Sequence, residues 1–451
     1  MSNKRWLMIV SLLAILSLPL AACQTPATTV APTEETGEGD TAPVAEEITL
    51  KIWDFGGIDF EWLDDLLIPE YQLTHPNVKF EHLGVPEDEL SLKLETAIAA
   101  GDVPDLAVFV PTRLMKAGHV LALDTMMEAA GMRPGDFCSL FESANMLEGK
   151  TYSLPISANW WGMMYNKDLF AEAGLPELGV DDVIDYPTWL EYARALNKPA
   201  DNLADRVWGS NFFYPSWNSM NNALSEEFVL GPDGRQCLNY STTDPWVTAW
   251  TALKTAYMED LTTWSAGAML ADVEEDMFLQ GKIGMTEATL GNALAAREAG
   301  LNVGITGQPV VGDTTNNVGG WNTSYSIMAG SEHPEEAFEF LHWLATEGAL
   351  LLAGNIVGGE AAGLPCYLPV AEQYLQAAGG DELVDQSLDL LARVGPVPFT
   401  PDIWTSVNPF EEAWRVMTEE DGDVKAALEA AAIECQEITD DLWTEWDALA
   451  E

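Results

Sequence analysis

Two adjacent tryptophans, Trp160 and Trp161, interrupt the stretch ISANWWGMMYNKDLF (156–170). Three more, Trp217 in YPSWNS, Trp321 in GGWNTS and Trp404 in PDIWTS, stand in loop-like settings flanked by Gly or Pro. The chemistry these residues suit is non-covalent. A flat indole covers the apolar face of a sugar ring while neighbouring Asp, Glu, Asn or Arg side chains bind its hydroxyls. Tryptophan is also highly buried on average, so packing is the competing use of each one. The loop-like settings favour a surface role for Trp217, Trp321 and Trp404. In a strand, Trp160 and Trp161 point to opposite faces, so one can pack while the other faces outward.

Covalent and metal chemistry find little support. The sequence has no Gly-x-Ser-x-Gly, no P-loop and no His-Glu-x-x-His. Its five histidines, His75, His82, His119, His333 and His342, show no metal-like pairing, and no Cys-x-x-Cys occurs. EEDGD (419–423) has a calcium-loop composition but lacks the alternation and the closing Glu, so Asp423 reads better as a helix N-cap. No cofactor, metal or catalytic residue is expected. Paired glycosidase carboxylates stay open, because the 72 acidic residues supply candidates everywhere.

These side chains need a scaffold, and the first hundred folded residues describe one. ITLKIW alternates as a strand, and a helical stretch runs from Phe60 to about Leu73, before His75-Pro76. VKFEHL is a second strand, LSLKLETAIAAG a helix closed by Gly101, and DLAVFV a third strand. Strand, helix, strand, helix, strand implies an α/β fold with parallel pairing. Ligands on such sheets sit beyond the carboxyl ends of strands, here Trp53-Asp54-Phe55, Glu81-His82 and Phe109 to Arg113. At the other end, Val424, Leu428, Ala431, Cys435, Ile438, Leu442, Trp446 and Leu449 form the apolar stripe of a long helix.

A chain of 451 residues, 47% hydrophobic, can build two lobes. A net charge of −52 argues against nucleic acid and against charge-driven binding to anionic lipid. The N-terminus, with Lys4, Arg5, an apolar run and Leu20-Ala21-Ala22-Cys23, reads as a secretory signal. It resembles the bacterial lipobox, which implies a lipidated Cys23 at the mature N-terminus and a chain anchored outside the cytoplasmic membrane. Residues 24–47, rich in Thr, Pro, Glu and Ala, read as a tether. Cys138, Cys237, Cys366 and Cys435 allow two disulfides in three connectivities, or buried thiols.

The order of blocks along residues 48–449 is similar to that of the bacterial extracellular solute-binding proteins of the carbohydrate ABC-importer type, which include maltose-binding protein. AAGDVPDLAVF, GKTYSLPISANWWGMMYNKDLFAEAGL, FLQGKIGMT, GGWNTSYSIMAGSEHPEEAFEFLHWL, GLPCYLP and GDVKAALEAA carry the resemblance. It implies a two-lobed periplasmic-binding-protein-like fold (type II) with the ligand cleft between lobes. The implied divisions are a signal over 1–22, lipidated Cys and linker over 23–47, a first lobe of 48–157 plus 307–331, and a second of 158–306 plus 332–451. The implied ligand contacts are Asp54, Phe55, Glu81, Phe109, Arg113, Asn159 and Trp321. To these the reading of the residues adds Trp160, Trp217, Glu287 and Trp404. Trp160 is favoured over Trp161, because alternation sets it on the opposite face from Tyr165, which with Asn166-Lys167-Asp168 starts a helix. Many relatives carry a Trp soon after the Gly-Lys-x-x-Met strand; here Glu287 stands near that place, so the sugar's identity is open.

The expected function is that of a monomeric, non-enzymatic binder that closes on a sugar, oligosaccharide or glycoside and delivers it to an ABC permease. The alternatives are a binder of peptide or polyamine, or a surface glycoside hydrolase.

Overall fold

The computed structural model describes residues 46–55, 62–211, 230, 234–237, 243–263, 277–313, 317–353, 356–357, 360–361, 363–395 and 399–449. Cys23 and Trp217 lie outside the described residues, as does the side chain of Trp404. Residues 46–451 make one compact unit. It starts as the alternation suggests. Strand β1 (Ile48–Phe55) pairs in parallel with β2 (Val78–Val85) and with β3 (Leu106–Val108). Between β1 and β2 run a π-helical turn, Leu63–Leu67, and helix α1 (Ile68–Thr74), which stops before Pro76. Helix α2 (Glu87–Ala100) joins β2 to β3 and ends on Gly101 in the left-handed region, φ 73°. The second strand is longer than VKFEHL suggests. It continues to Val85, so Glu81-His82 is mid-strand and not a carboxyl end.

The centre of the fold is β6 (Leu154–Asn166), thirteen residues of which only Trp161 is not buried. Strand β10 (Gly319–Ile327) lies antiparallel to β3 and to the first half of β6, with Gly319 opposite Trp161. The second half of β6 pairs instead with β8 (Ile283–Ala288) and β9 (Val303–Thr306), starting at Gly162 opposite Ala288. Strand β7 (Trp208–Asn211) completes the order β2-β1-β3-β10-β6-β8-β7, with β9 also on β6. One strand thus serves two sheet halves, and the partners change between Trp161 and Gly162. Gly162 is required there: a Cβ would lie 2.5 Å from the Thr306 carbonyl and 2.8 Å from the Trp160 ring.

Two hydrophobic cores meet around this switch, the first running across it to Trp208, Ile283 and Ile305. One gathers Leu50, Ile52, Leu106, Ile156, Tyr325 and Phe340; the other gathers Met163, Tyr165, Trp189, Trp250, Met285 and Leu428. The fold is the expected two-lobed α/β type. The change of partners on β6 follows Trp161, four residues beyond Ser157. Helix α3 (Pro334–Trp343) also returns to the first lobe, although it follows Ser331: Phe340 packs 4.8 Å from Tyr71 and 4.7 Å from Phe80. The physical cause is the apolar side of Ala337, Phe338, Phe340 and Leu341, which the α1–β2 layer buries.

Helix α4 (Glu382–Arg393) packs on β9, and helix α5 (Val424–Ala448) starts at Asp423, whose side chain accepts from the Ala426 N–H at 2.9 Å. Cys435 on its apolar stripe is fully buried and bonded to Cys237, and Cys138 is bonded to Cys366. Tyr165 and Asn166 are structural, as expected. The Tyr165 hydroxyl donates to Leu178 O and accepts from Leu178 N, and Asn166 Oδ1 caps the next helix at Asp168 and Leu169.

Candidate functional site

Strand register decides which side chains share a face. Opposite residues of an antiparallel pair point the same way, and so do residues two apart. Trp321 is opposite Asn159, Gly319 opposite Trp161, and Glu287 opposite Met163. Trp321, Asn159, Trp161 and Glu287 therefore lie on one face, spanning the change of partners. Their exposure follows the same pattern. Trp161 is the half-buried residue of β6, Glu287 that of β8, and Trp321 and Thr323 those of β10. The Trp161 and Trp321 rings lie 5.2 Å apart at 53°. Gly320 beside them admits close approach, since a Cβ would lie 2.6 Å from Asn159 O and 2.9 Å from Val394.

Trp160 is not a cleft residue. It is fully buried in the first core, and Trp161 takes the exposed place. The expectation fails because it took burial of Tyr165 to mark the packed face. Both faces of β6 are covered, so Tyr165 is buried on one side and Trp160 on the other.

The carboxyl ends of β1 and β3 carry a second aromatic pair. Phe55 and Phe109 stack at 5.3 Å and 15°. Phe109 is 39% exposed and has φ 43°, a conformation a bulky side chain rarely adopts. Its N–H donates to Ser324 O at 3.2 Å. Trp321 lies three residues further along β10, about 10 Å at the usual rise per residue.

Two of the charged candidates, Asp54 and Arg113, are engaged within the protein. Asp54 is 1% exposed; one oxygen accepts from the Phe55 N–H at 2.7 Å and the other from the Tyr325 hydroxyl. It shares its sheet face with His82, whose Nε2 is 4.0 Å from Asp54 and whose Nδ1 is 3.0 Å from Asp64. Glu81 stands opposite Lys51, on the other face of the sheet from Asp54, and is exposed. Arg113 donates to Ser91 at 2.5 Å and pairs with Glu95 at 2.6 Å. The fold therefore groups Asn159, Glu287 and Trp321 on one face, and Phe55 with Phe109 at the sheet edge. Glu81 and Arg113 stand apart from both groups.

Trp161 stands second to Trp160 on alternation alone, and Tyr325, which donates to Asp54, is not singled out from the sequence. The alternation of Trp321, Thr323 and Tyr325 with Asn322, Ser324 and Ser326 was the available signal for the face of β10. Among the described residues no group of three or more His, Cys, Asp or Glu side chains could hold a metal ion, and no helix is long and apolar enough to cross a membrane.

His82 makes this edge pH-sensitive. Its side chain is 4% exposed, and burial lowers its pKa below the ordinary 6.5 against the opposing pull of Asp64. The unfolded chain then binds a proton at a higher pH than the folded one. The contribution is fully present above pH 6.5 and is lost as pH falls from there through the depressed value. We expect urea midpoints to drop between pH 7.5 and 5.5 by more in the wild type than in His82→Gln. Equal drops would show that His82 does not titrate this way.

The model of the family described as bacterial extracellular solute-binding protein matches residues 57–350. A binding protein of Brucella abortus is 26% identical over 288 residues, 61% of this chain; the match spans 66% of that protein's length. An ABC substrate-binding protein of Listeria monocytogenes, solved with cycloalternan, superposes with a TM-score of 0.70 at 19% identity, over 87% of this chain and 99% of that one. The maltose/maltodextrin-binding domain of Bdellovibrio bacteriovorus, bound to maltotriose, gives 0.66 at 18% identity over 86% and 99%. At these identities the likeness is one of fold.

Proposed function

Because this chain belongs to the bacterial extracellular solute-binding protein family, we propose that it binds a sugar, oligosaccharide or glycoside between its lobes and delivers it to an ABC permease. The observation that carries the reading is the group Trp161, Trp321, Asn159 and Glu287. Its indoles suit the apolar face of a sugar ring, and its amide and carboxylate suit hydroxyls. Asn159 and Trp321 belong to the first half of the sheet and Glu287 to the second, so one ligand touching them joins both lobes. Such a ligand stabilises the closed arrangement by binding it better than the open one. Phe55 and Phe109 offer a further stacking surface, and the bound neighbours cycloalternan and maltotriose are themselves oligosaccharides. In this reading the protein is a non-enzymatic monomer held outside the cytoplasmic membrane by lipid on Cys23. The support for the anchor is Leu20-Ala21-Ala22-Cys23 after an apolar run.

A thermal-shift panel of maltotriose, mannotriose, monosaccharides, amino acids and polyamines tests it. A ligand at 100 times its Kd adds about 2.7 kcal/mol of stability. We expect a sugar to shift the melt and to reduce the radius of gyration in small-angle scattering. A shift with polyamines or amino acids alone would replace the sugar reading. Membrane fractionation of wild type and Cys23→Ser tests the anchor, which is wrong if both partition alike.

A further inference from the structure

We infer that Gln308 is a conformational determinant of the movement between lobes. Its side-chain amide is unpaired in the arrangement seen here and gains hydrogen-bond partners in the other. The inference rests on the binding-protein reading for the existence of that second arrangement.

Gln308 lies two residues past the end of β9, in the segment that carries the chain from the second sheet half to β10. It is 1% exposed, and neither its Oε1 nor its Nε2 has a hydrogen-bond partner. Buried amides in this condition are rare, because each unmade bond forfeits the water it replaced. A leucine would fill similar space without that penalty.

Described polar groups on the same and adjoining segments are committed to other partners. The Gln308 N–H donates to Asn317 O at 2.6 Å, and Thr306 Oγ1 donates to Gly179 O at 2.9 Å. Asn317 Nδ2 donates to Asp182 O at 3.1 Å, while its Oδ1 accepts from Arg393 at 2.6 Å. Arg393 also donates to Val180 O. Four separate segments are thus tied round the crossing, and a Cβ on Gly307 would sit 2.1 Å from the Asn317 side chain. The backbone is held by these ties while the amide between them is not.

The crossing on β6 repeats the pattern. Trp160 Nε1, one residue before the change of partners on β6, is fully buried and unpaired. These two crossings each carry a polar group that this arrangement leaves unsatisfied. A movement that rotates the backbone at Gly307 and Gly162 is what brings such groups to new neighbours. Gln308 then opposes this arrangement and favours the other.

The test compares wild type with Gln308→Leu, and with Gln308→Met in case Leu packs badly. Without ligand, both variants should have a higher urea midpoint. Hydrogen exchange over residues 303–320 should slow by about tenfold, the scale of one unmade hydrogen bond. A lower midpoint in both variants would mean that the amide is already paired, for instance by a trapped water, and would overturn the inference. A raised midpoint with unchanged exchange would overturn it too, leaving Gln308 a static liability. With any sugar found in the panel, affinity should change about tenfold in the variants, falling if the arrangement seen here is the open one and rising if it is the closed one, and an unchanged Kd counts against the inference. If no sugar binds, the sugar reading fails on its own, while the midpoint and exchange data still decide the role of Gln308.

Discussion

Trp161→Ala is expected to weaken sugar binding by about 30–150-fold, a loss of roughly 2–3 kcal/mol, the scale of an aromatic hot spot. Unliganded stability should change by less than about 1 kcal/mol, because the half-buried ring leaves little cavity behind. The same outcome is expected for Trp321→Ala. The two rings touch, so the double variant should lose less than the sum of the single losses. The neighbouring Trp160→Ala should behave in the opposite way. Its ring is fully buried in the first core, and its removal should cost about 3–5 kcal/mol of stability. Calorimetric titration and urea melts on the three single variants separate these patterns. If Trp161→Ala and Trp321→Ala both keep the wild-type Kd, the face they share is not the binding face.

Loss of the disulfides is the second large effect expected. Cys138–Cys366 closes 228 residues of sequence and Cys237–Cys435 closes 198. Loops of this length correspond to about 5 kcal/mol each in the chain-entropy description, and measured losses for native bridges run about 2–5 kcal/mol. The two loops interleave, so each bridge shortens the loop that the other closes; a single removal should cost less than the isolated-loop figure, and joint removal should cost more than the sum of the two single removals. The bridges also act in different places. Cys138 and Cys366 belong to the first core, while Cys237 and Cys435 belong to the second. Serine pairs at 138/366 and at 237/435 should therefore lower different parts of the urea transition. Midpoints unaffected by a reductant that fully opens both bridges would refute this.

The sequence by itself determined the elements and their order. Alternation in ITLKIW marks β1, Gly101 marks the end of α2, and the stripe through Val424, Leu428 and Cys435 marks α5 with Asp423 as its cap. These are local properties: the pattern of apolar residues and the preferences of Gly, Pro and Asp report the backbone directly. The family, and with it the two-lobed fold, was legible for a related reason, since ordered blocks survive where single residues drift.

Tertiary structure alone decided the rest. Alternation says that Trp160 and Trp161 diverge but not which one is covered, because strand β6 is buried on both faces. Only the register of β10 and β8 puts Trp161 beside Trp321 and on the face of Glu287. Glu81 was misplaced because strand length is set by pairing with β1, which carries β2 on to Val85. The return of α3 to the first lobe followed from the apolar surface that Tyr71 and Phe80 present. Choosing among three cysteine pairings required knowing which distant segments pack together. In each case the deciding partner lies far away in sequence, and no local preference encodes it.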